Sequence, residues 1–383
     1  MRLHLHGGFG EKGRTSLVVE SANFRLLLDV GVMTSAHGTP QYYPQISREQ
    51  LAAVDALLIT HGHEDHSAAL GWCIANGFTG PIYMTPEAQR DTRMCLADYA
   101  APDEAAQVPW SRVIELPAGG QALRVGPLRV LTGRSGHIAG GVWCQVMDAD
   151  VRLTYCGDMM SESPVFAMDA LPQSDIVLLD ASYGDDDIPA ADRARDIAAW
   201  VSAHPQGCVL PTPLYGRSAE LLAVIPGDIA LAPGMRGALR EQLNDERWLS
   251  ASAAQRLSQR LATTRDWHTA DPLPRAALIC HDGMGLSGPS KVALARARDD
   301  SHPVLLTGHV PAGTAGQALL NDRRADWIRL PTHPRLAANV AMAEGSGASL
   351  LVGHSCEPLA LERLGRHLPR MRADLRTGDT LDL

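Results

Sequence analysis

The sequence of 383 residues lacks several features that mark particular protein classes. It has only two lysines, Lys12 and Lys291, a formal net charge of −9 and no basic tract. Nonspecific binding of nucleic acid depends on a positively charged surface, so this balance argues against binding through bulk charge alone. No apolar run approaches the roughly 18 residues that indicate a membrane span, so no membrane association is expected.

The cysteines provide no framework either. There are seven, an odd number, and no two have Cys-X-X-Cys spacing. This pattern argues against a disulfide framework and against a structural zinc site built from cysteines. The first residues alternate like a strand and lack the apolar core of a signal peptide, so we expect a cytoplasmic protein.

One short run contains most of the candidate metal ligands. Residues 60–66 read Thr-His-Gly-His-Glu-Asp-His and follow the apolar residues 56–59 directly. Imidazole and carboxylate are ligands of Zn²⁺ and its first-row neighbours. A buried strand that ends in such a run places the ligands at the edge of a sheet, where open α/β folds have their sites. The run therefore predicts a metal site.

A site with two metal ions needs more ligands than this run supplies. His137 lies in a glycine-rich turn between two predicted strands, and Asp158 follows another predicted strand. Both belong to the same β-rich part of the chain as residues 60–66. We therefore expect these two side chains to complete the site.

The spacing of apolar residues predicts two structural regions. Residues 1–160 are predicted to be β-rich with helices outside, including a helix over 67–76 that begins directly after His66. From Asp175 onward, strands and helices alternate as in a parallel sheet. We predict a first domain over 1–183, an inserted domain over 184–332, and a return to the first domain over 333–383.

With these motifs, the chain resembles metallo-β-lactamase-fold hydrolases of the β-CASP subfamily. This group includes the cleavage-and-polyadenylation endonuclease and its archaeal and bacterial relatives. The histidine-rich run is general to the superfamily. More specific similarities follow in the family's order, at residues 178–184, 209–220, 282–290, 307–316, at His333 and at residues 352–354. The resemblance implies an α/β protein, an αββα metallo-β-lactamase sandwich with an inserted parallel-sheet α/β domain.

The resemblance also implies a dinuclear zinc centre, with Mn²⁺ or Fe²⁺ as alternatives for the same ligands. The implied ligands are His61, His63 and His137 for one ion, Asp65, His66 and His354 for the other, and Asp158 as the bridge. Two such ions share a hydroxide and stabilise both the attacking and the leaving oxygen of a phosphodiester. Asp65 is also implied in orienting or deprotonating the attacking water.

The leaving group needs a proton, and the resemblance implies His333 as the general acid. Asp180 would hydrogen-bond His333 and favour its protonated form. The chain departs from the family two residues after this histidine, where Arg335 stands in place of an aspartate.

Four residues are further candidates for binding substrate phosphate through side chains and backbone N–H groups: Arg217, Gly283, Gly285 and Ser290. The alternative for this glycine-rich segment is a tight structural turn.

The leading hypothesis is a ribonuclease, a metal-dependent phosphodiester hydrolase acting on RNA, with single-stranded DNA as an alternative. A second hypothesis is a small-molecule phosphodiesterase, esterase or lactonase on the same fold. A non-catalytic scaffold is disfavoured, because it predicts missing ligands and all seven are present. Homodimerisation is a further expectation from the family.

Overall fold

The protein, described here by a computed structural model for residues 1–310 and 313–383, divides into two compact units. The first unit comprises Met1–Ser161, Met168–Asp187 and His333–Leu383, and the second comprises Glu162–Ala167 and Ile188–Thr332. Residues 184–187, predicted to lie in the inserted domain, belong to the first unit. Residues 162–167 were predicted to lie in the first domain. They belong to the second unit, where Phe166 pairs with Leu249 in an isolated antiparallel bridge.

The strands, in chain order, are β1 (Arg2–Gly7), β2 (Ser16–Ser21), β3 (Phe24–Leu28), β4 (Ala56–Leu58), β5 (Ile82–Met84), β6 (Val113–Glu115), β7 (Ala122–Val125), β8 (Leu128–Arg134), β9 (Val142–Met147), β10 (Arg152–Tyr155), β11 (Ile176–Asp180), β12 (Cys208–Pro211), β13 (Ile229–Leu231), β14 (Arg265–Asp266), β15 (Ala277–Cys280), β16 (Leu305–Leu306), β17 (Asp326–Trp327), β18 (Leu350–His354), β19 (Met371–Arg372) and β20 (Thr380–Asp382).

The α-helices are α1 (Arg48–Ala52), α2 (Glu64–Ser67), α3 (Leu70–Ala75), α4 (Pro86–Tyr99), α5 (Pro102–Ala106), α6 (Ala190–Ser202), α7 (Arg217–Val224), α8 (Met235–Asn244), α9 (Ala253–Ala262), α10 (Gly288–Asp299), α11 (Ala315–Asn321), α12 (Leu336–Ser346) and α13 (Pro358–Gly365). Single turns of 3-10 helix lie at Thr34–Ala36, Pro40–Tyr42, Trp110–Arg112 and Glu246–Trp248.

The first unit contains two seven-stranded sheets, with strand orders β20-β1-β2-β3-β4-β5-β6 and β19-β18-β11-β10-β9-β8-β7. On one face of the first sheet, Val18 and Leu27 share a buried cluster with Leu70 of α3. On the second sheet, Val177 packs in a separate cluster with Leu361 of α13. Each sheet is therefore covered by helices on one face, as an αββα sandwich requires.

Three adjacent strands of the second sheet position polar residues at one edge. Strand β11 pairs in parallel with β10 on one side and with β18 on the other, and Asp180 is in register with His354. Because parallel strands end at the same edge, their carboxyl ends bring Asp158, Asp180 and His354 to that edge.

The helix expected over residues 67–76 begins earlier and is interrupted. Helix α2 starts at Glu64, and α3 covers only Leu70–Ala75. His63 is extended at the N-cap position of α2, and the first turn carries Glu64 and Asp65. Carboxylates are favoured at a helix N-terminus, which explains the earlier start. As a result, Asp65 and His66 lie on a helical turn.

The second unit has a parallel four-stranded sheet, β12-β15-β13-β14, and a parallel pair, β16-β17. An isolated parallel bridge joins Val209 of β12 to Val304, just before β16. The alternating strands and helices predicted from Asp175 onward are thus present, and the predicted fold class is confirmed. Within residues 1–310 and 313–383, none of the helices has the length and apolar character needed to cross a membrane.

Candidate metal centre

The predicted ligands of residues 60–66 meet two distant residues within the first unit. His61 and His63 lie in the loop between β4 and α2, and Asp65 and His66 lie on α2. His137 lies in the turn between β8 and β9, and Asp158 follows β10. Three groups have potential ligand atoms within 4.8 Å of one another: His61, His63, His137 and Asp158; Asp65, His66 and Asp158; and Asp158, Asp180 and His333.

The first group has the spacing of ligands that share one ion. His63 Nδ1 lies 3.1 Å from His137 Nε2. Asp158 Oδ2 lies 3.6 Å from His61 Nε2 and 3.5 Å from His137 Nε2. Two nitrogens bound to a tetrahedral Zn²⁺ at 2.0–2.1 Å would be about 3.3 Å apart. These separations therefore fit a metal ion held by this group.

Asp158 belongs to both ligand groups through different oxygens. Its Oδ2 faces His61 and His137, whereas its Oδ1 lies 3.1 Å from His66 Nε2. Asp65 Oδ2 lies 3.9 Å from the same His66 nitrogen. A carboxylate with one oxygen in each group has the geometry of a bridging ligand.

The unsatisfied polar atoms give an independent test of whether a metal fits. Four buried ligand atoms make no well-directed hydrogen bond among the described residues: His61 Nε2, His66 Nε2, His354 Nε2 and Asp158 Oδ1. Two of them, His66 Nε2 and Asp158 Oδ1, form an ion pair with each other at 3.1 Å. Leaving a buried polar group unpaired costs about 1–3 kcal/mol, so such groups rarely occur together without a ligand. All four are atom types that bind first-row metal ions. The residues therefore fit a metal site.

His354 is the one predicted ligand outside the three close groups. It is fully buried at the end of β18, and its ring lies 5.3 Å from that of Tyr155 and 6.4 Å from that of Phe9. Its Nε2 is one of the four unsatisfied atoms. The structure thus brings six of the seven predicted ligands together and places the seventh on a neighbouring strand end.

Charge and burial make the cluster receptive to cations. Burial would raise the pKa of Asp158, but His66 and His333 hold that pKa well below its usual range. Burial lowers the pKa of His66, but Asp158, Asp65 and Asp29 outweigh it and raise the pKa well above the ordinary value. Burial together with His66 holds the pKa of His61 well below its usual range, so its imidazole is neutral as a ligand must be.

Asp29 was missed by the sequence analysis, although it contacts a predicted ligand directly. Its fully buried carboxylate accepts hydrogen bonds from His66 Nδ1 at 2.8 Å and Tyr155 OH at 2.7 Å. The same carboxylate accepts from the backbone N–H and the hydroxyl of Thr60 at 2.7 and 2.8 Å. A bond at Nδ1 directs Nε2 of His66 toward Asp158. The sequence feature that could have identified Asp29 is its position directly after the apolar strand β3, which pairs in parallel with β4.

His333 and Asp180 form the predicted pair. His333 Nδ1 donates to Asp180 Oδ2 at 2.8 Å, and the fully buried Asp180 also accepts from Ser182 and from the backbone of Met159. Burial lowers the pKa of His333, but Asp180 and Asp158 outweigh it and raise that pKa to about 9. The His333 side chain is 18% exposed, whereas that of the predicted ligand His61 is 2% exposed. His333 therefore has more access to solvent than His61.

Arg335, which stands where the family has an aspartate, pairs with a carboxylate of the first unit. Its Nη1 donates to Asp187 Oδ1 at 2.7 Å. The same carboxylate accepts from the backbone N–H of Ala337 at the start of α12. The substitution thus anchors the segment after His333 and leaves the His333–Asp180 contact intact.

The predicted phosphate-binding residues all lie in the second unit. Arg217 is the first residue of α7, and its guanidinium lies against Gly308 and contacts Thr332 Oγ1 at 3.4 Å. Gly285 is buried with a φ of +71°, a conformation that favours glycine. Ser290 is buried in the first turn of α10, and its backbone N–H donates to the His281 carbonyl.

The N–H groups of this glycine-rich segment are already bonded to a carboxylate of the chain itself. Asp282 accepts from the backbone N–H groups of Met284, Gly285, Leu286 and Ser287 at 2.5–3.1 Å. It also accepts from the Ser287 hydroxyl at 2.8 Å. These donors are therefore engaged within the loop, as in a tight structural turn.

Comparison with known proteins gives consistent similarities. Residues 25–211 match the model of the beta-lactamase superfamily domain. The chain is 27% identical over 249 residues, 58% of its length, to the transcription termination factor FttA of Methanothermobacter thermautotrophicus. It is 24% identical over 357 residues, 82% of its length, to the endoribonuclease YSH1 of Yarrowia lipolytica. These alignments cover 39% and 43% of the two proteins, so the chain spans about two fifths of their length.

One solved structure is similar over the whole chain. It is the crystal structure of a protein of unknown function from Enterococcus faecalis V583, with a TM-score of 0.66. The match covers 100% of this chain and 99% of that one at 14% sequence identity. At this identity the similarity shows a shared fold alone.

Proposed function

We propose that the chain, whose residues 25–211 match the beta-lactamase superfamily domain and which is similar to FttA and YSH1, is a metal-dependent phosphodiester hydrolase of the β-CASP group that cleaves RNA. The observation that carries this proposal is a set of buried ligand atoms with incomplete hydrogen bonding. Two imidazole nitrogens, His61 Nε2 and His354 Nε2, have no partner among the described residues, and His66 Nε2 has the Asp158 carboxylate at 3.1 Å without a well-directed hydrogen bond. Such a set is costly for a scaffold protein, whereas a metal-dependent hydrolase requires it.

The proposed centre holds two Zn²⁺ ions, although the same ligands also accept Mn²⁺ or Fe²⁺. His61, His63 and His137 would hold one ion; Asp65, His66 and His354 would hold the other, with Asp158 between them. When bound, the two ions lower the pKa of a water molecule to near 7 and stabilise charge on the phosphate oxygens. The two oxygens of Asp158, each facing a different ligand group, support this division.

Asp65 and His333 are the proposed groups that act on substrate atoms. The Asp65 side chain is 34% exposed, more than the other members of its group, so it can orient the attacking water. His333 donates from Nδ1 to Asp180, which leaves Nε2 to give a proton to the leaving oxygen. The fixed Nδ1 contact orients the ring for that step.

RNA is the proposed substrate on the strength of the relatives. FttA is a transcription termination factor and YSH1 is an endoribonuclease. The net charge of −9 places the expected RNA contacts in local sites, because bulk charge would repel a polyanion. The same chemistry extends to single-stranded DNA and to small phosphodiesters.

The test is cleavage of end-labelled single-stranded RNA by the zinc-loaded protein, with the metal content measured beforehand. The control is the double variant Asp65→Ala/His66→Ala, which removes two proposed ligands. Cleavage by the wild type alone would support a metal-dependent nuclease, and the fragment ladder would separate endonucleolytic from exonucleolytic action.

A second outcome would favour the alternative function. If the protein binds metal but leaves RNA intact while hydrolysing bis(p-nitrophenyl) phosphate, the substrate is a small phosphodiester and the RNA proposal is wrong. If a folded protein takes up no zinc, manganese or iron, the metal-dependent mechanism itself is wrong.

A further inference from the structure

Ser355, the residue after His354, has an unusual backbone conformation. Its φ is +57°, in the left-handed region where a glycine is the ordinary choice. A side chain in that region costs about 1–2 kcal/mol. The residue is also 4% exposed, so solvation of its hydroxyl does not offset the cost. A serine here needs a specific reason.

The hydroxyl of Ser355 contacts the proposed ligand His354. Its Oγ lies 3.0 Å from His354 Nδ1 and 3.4 Å from Thr15 Oγ1. The backbone N–H of Ser355 donates to the Gly8 carbonyl at 2.6 Å, which fixes the turn. The serine thus holds the ring nitrogen opposite to the unsatisfied Nε2.

The same contacts reach a second proposed ligand. The backbone N–H of Thr15 donates to the carbonyl of Asp65 at 2.9 Å. A hydrogen-bonded chain therefore runs from His354 through Ser355 and Thr15 to Asp65. Both ends of this chain are residues assigned above to the same metal ion.

We propose that Ser355 is a positioning residue for that metal ion. Its hydroxyl accepts the Nδ1 proton of His354 and donates toward Thr15, so that the unprotonated Nε2 is held as the metal ligand. The left-handed backbone is the conformation that brings the hydroxyl to Nδ1, which accounts for a serine where glycine would be unstrained. This inference rests on the proposed metal-dependent function.

The test uses zinc alone as the probe. Metal-stripped wild type, Ser355→Gly and Ser355→Ala are titrated with Zn²⁺ in competition with a chromophoric chelator. Glycine relieves the strained φ and alanine retains it, but both remove the hydroxyl. We expect both variants to bind one zinc equivalent roughly 10–100-fold more weakly, and the other equivalent as the wild type does.

A purely structural role gives a different pattern. If Ser355 only shaped the turn, Ser355→Gly would bind zinc like the wild type, and that result would overturn the proposal. A matched control is Ser301→Gly, because Ser301 also has a positive φ of 53° but is exposed and lies in the second unit. It should leave zinc affinity unchanged.

The absorption of the Co²⁺-loaded protein gives a second readout. Loss of the Nδ1 contact should change the d–d bands in both Ser355 variants but not in Ser301→Gly. Unchanged affinity and bands in both Ser355 variants would overturn this inference and leave the proposed hydrolase intact. A wild type that bound neither metal would overturn both.

Discussion

The two units carry ionisable residues near the ends of parallel strands, and the hydrogen bonding of these residues differs. In the first unit, His61 Nε2 and His354 Nε2 are buried without partners among the described residues, and His66 Nε2 lies 3.1 Å from Asp158 Oδ1 without a well-directed hydrogen bond. In the second unit, the carboxylate of Asp282 accepts four backbone N–H groups and a hydroxyl of its own loop. A cluster of histidines and carboxylates at strand ends therefore predicts a ligand where its hydrogen bonding is incomplete.

The energetic difference explains why this distinction is informative. An unpaired buried polar group costs about 1–3 kcal/mol, so several together are retained only where a ligand completes them. The Asp282 loop has no such deficit, because its negative charge is already hydrogen-bonded by the N–H groups that a phosphate would use. The same glycine-rich sequence is thus compatible with a structural turn.

The largest effect should come from removing the residue that both metal groups share. Asp158→Ala should lower RNA cleavage by on the order of 10³-fold or more, because each group loses an oxygen ligand. Metal content by elemental analysis should fall as well. Asp150→Ala is the matched control, since Asp150 is exposed in the turn between β9 and β10, where its backbone N–H donates to Asp148. Full activity and metal content in Asp158→Ala would contradict the assignment.

The next effect separates the proton donor from the metal ligands. His333→Gln should lower kcat by about 10²-fold, a typical contribution of general acid–base catalysis, while zinc content stays that of the wild type. Arg335→Ala is the control on the same segment. It loses the partly exposed pair with Asp187 and should keep activity within about twofold. Loss of zinc in His333→Gln would instead make His333 a ligand.

The second unit contains a buried carboxyl group, that of Glu220. Its titration should make the stability of the protein depend on pH. Burial raises its pKa to about 7, against the lowering effects of the Ser163 hydroxyl and of Arg217 and Arg256. Its ordinary pKa is 4.5, so between pH 4.5 and 7 the folded protein holds a proton that the unfolded chain releases. This contribution to stability is complete below pH 4.5 and is lost as the pH rises through 7.

The expected size is about 3 kcal/mol in the free energy of unfolding. Glu220→Gln cannot titrate, so its difference from the wild type should vary with pH across this window. Urea unfolding of the wild type and of Glu220→Gln at several pH values measures this difference, and a constant difference would rule out the buried titration.

Much of this structure was predictable, for identifiable reasons. The strands Val142–Met147 and Cys208–Pro211 each lie in a short buried apolar run with clear turn residues beside it, and that pattern predicts a strand. The cluster of residues 60–66 with His137 and Asp158 was predictable because all follow strands. The start of α2 was predicted three residues late, since the ligand run itself forms the helical turn.

Other features depend on contacts that the sequence does not display. Asp29 is 37 residues from His66 and 126 residues from Tyr155, and only the pairing of β3 with β4 brings it to the site. The bonds of Asp282 to its own loop depend on how the backbone turns after β15. A glycine-rich pattern is equally compatible with a turn whose N–H groups are free to bind a ligand and with a turn whose N–H groups are already hydrogen-bonded within the loop.

The smallest effect tests that last distinction directly. Asp282→Ala removes the acceptor of four backbone N–H groups in a half-buried loop and should lower the free energy of unfolding by about 1–2 kcal/mol. Asp282→Asn retains one acceptor oxygen and should lose less. Zinc affinity should be unchanged in both, because the proposed ligands lie in the first unit. If Asp282→Ala instead kept its stability and gained affinity for inorganic phosphate, the loop would be an anion site that the aspartate blocks, and the contrast between the two units would fail.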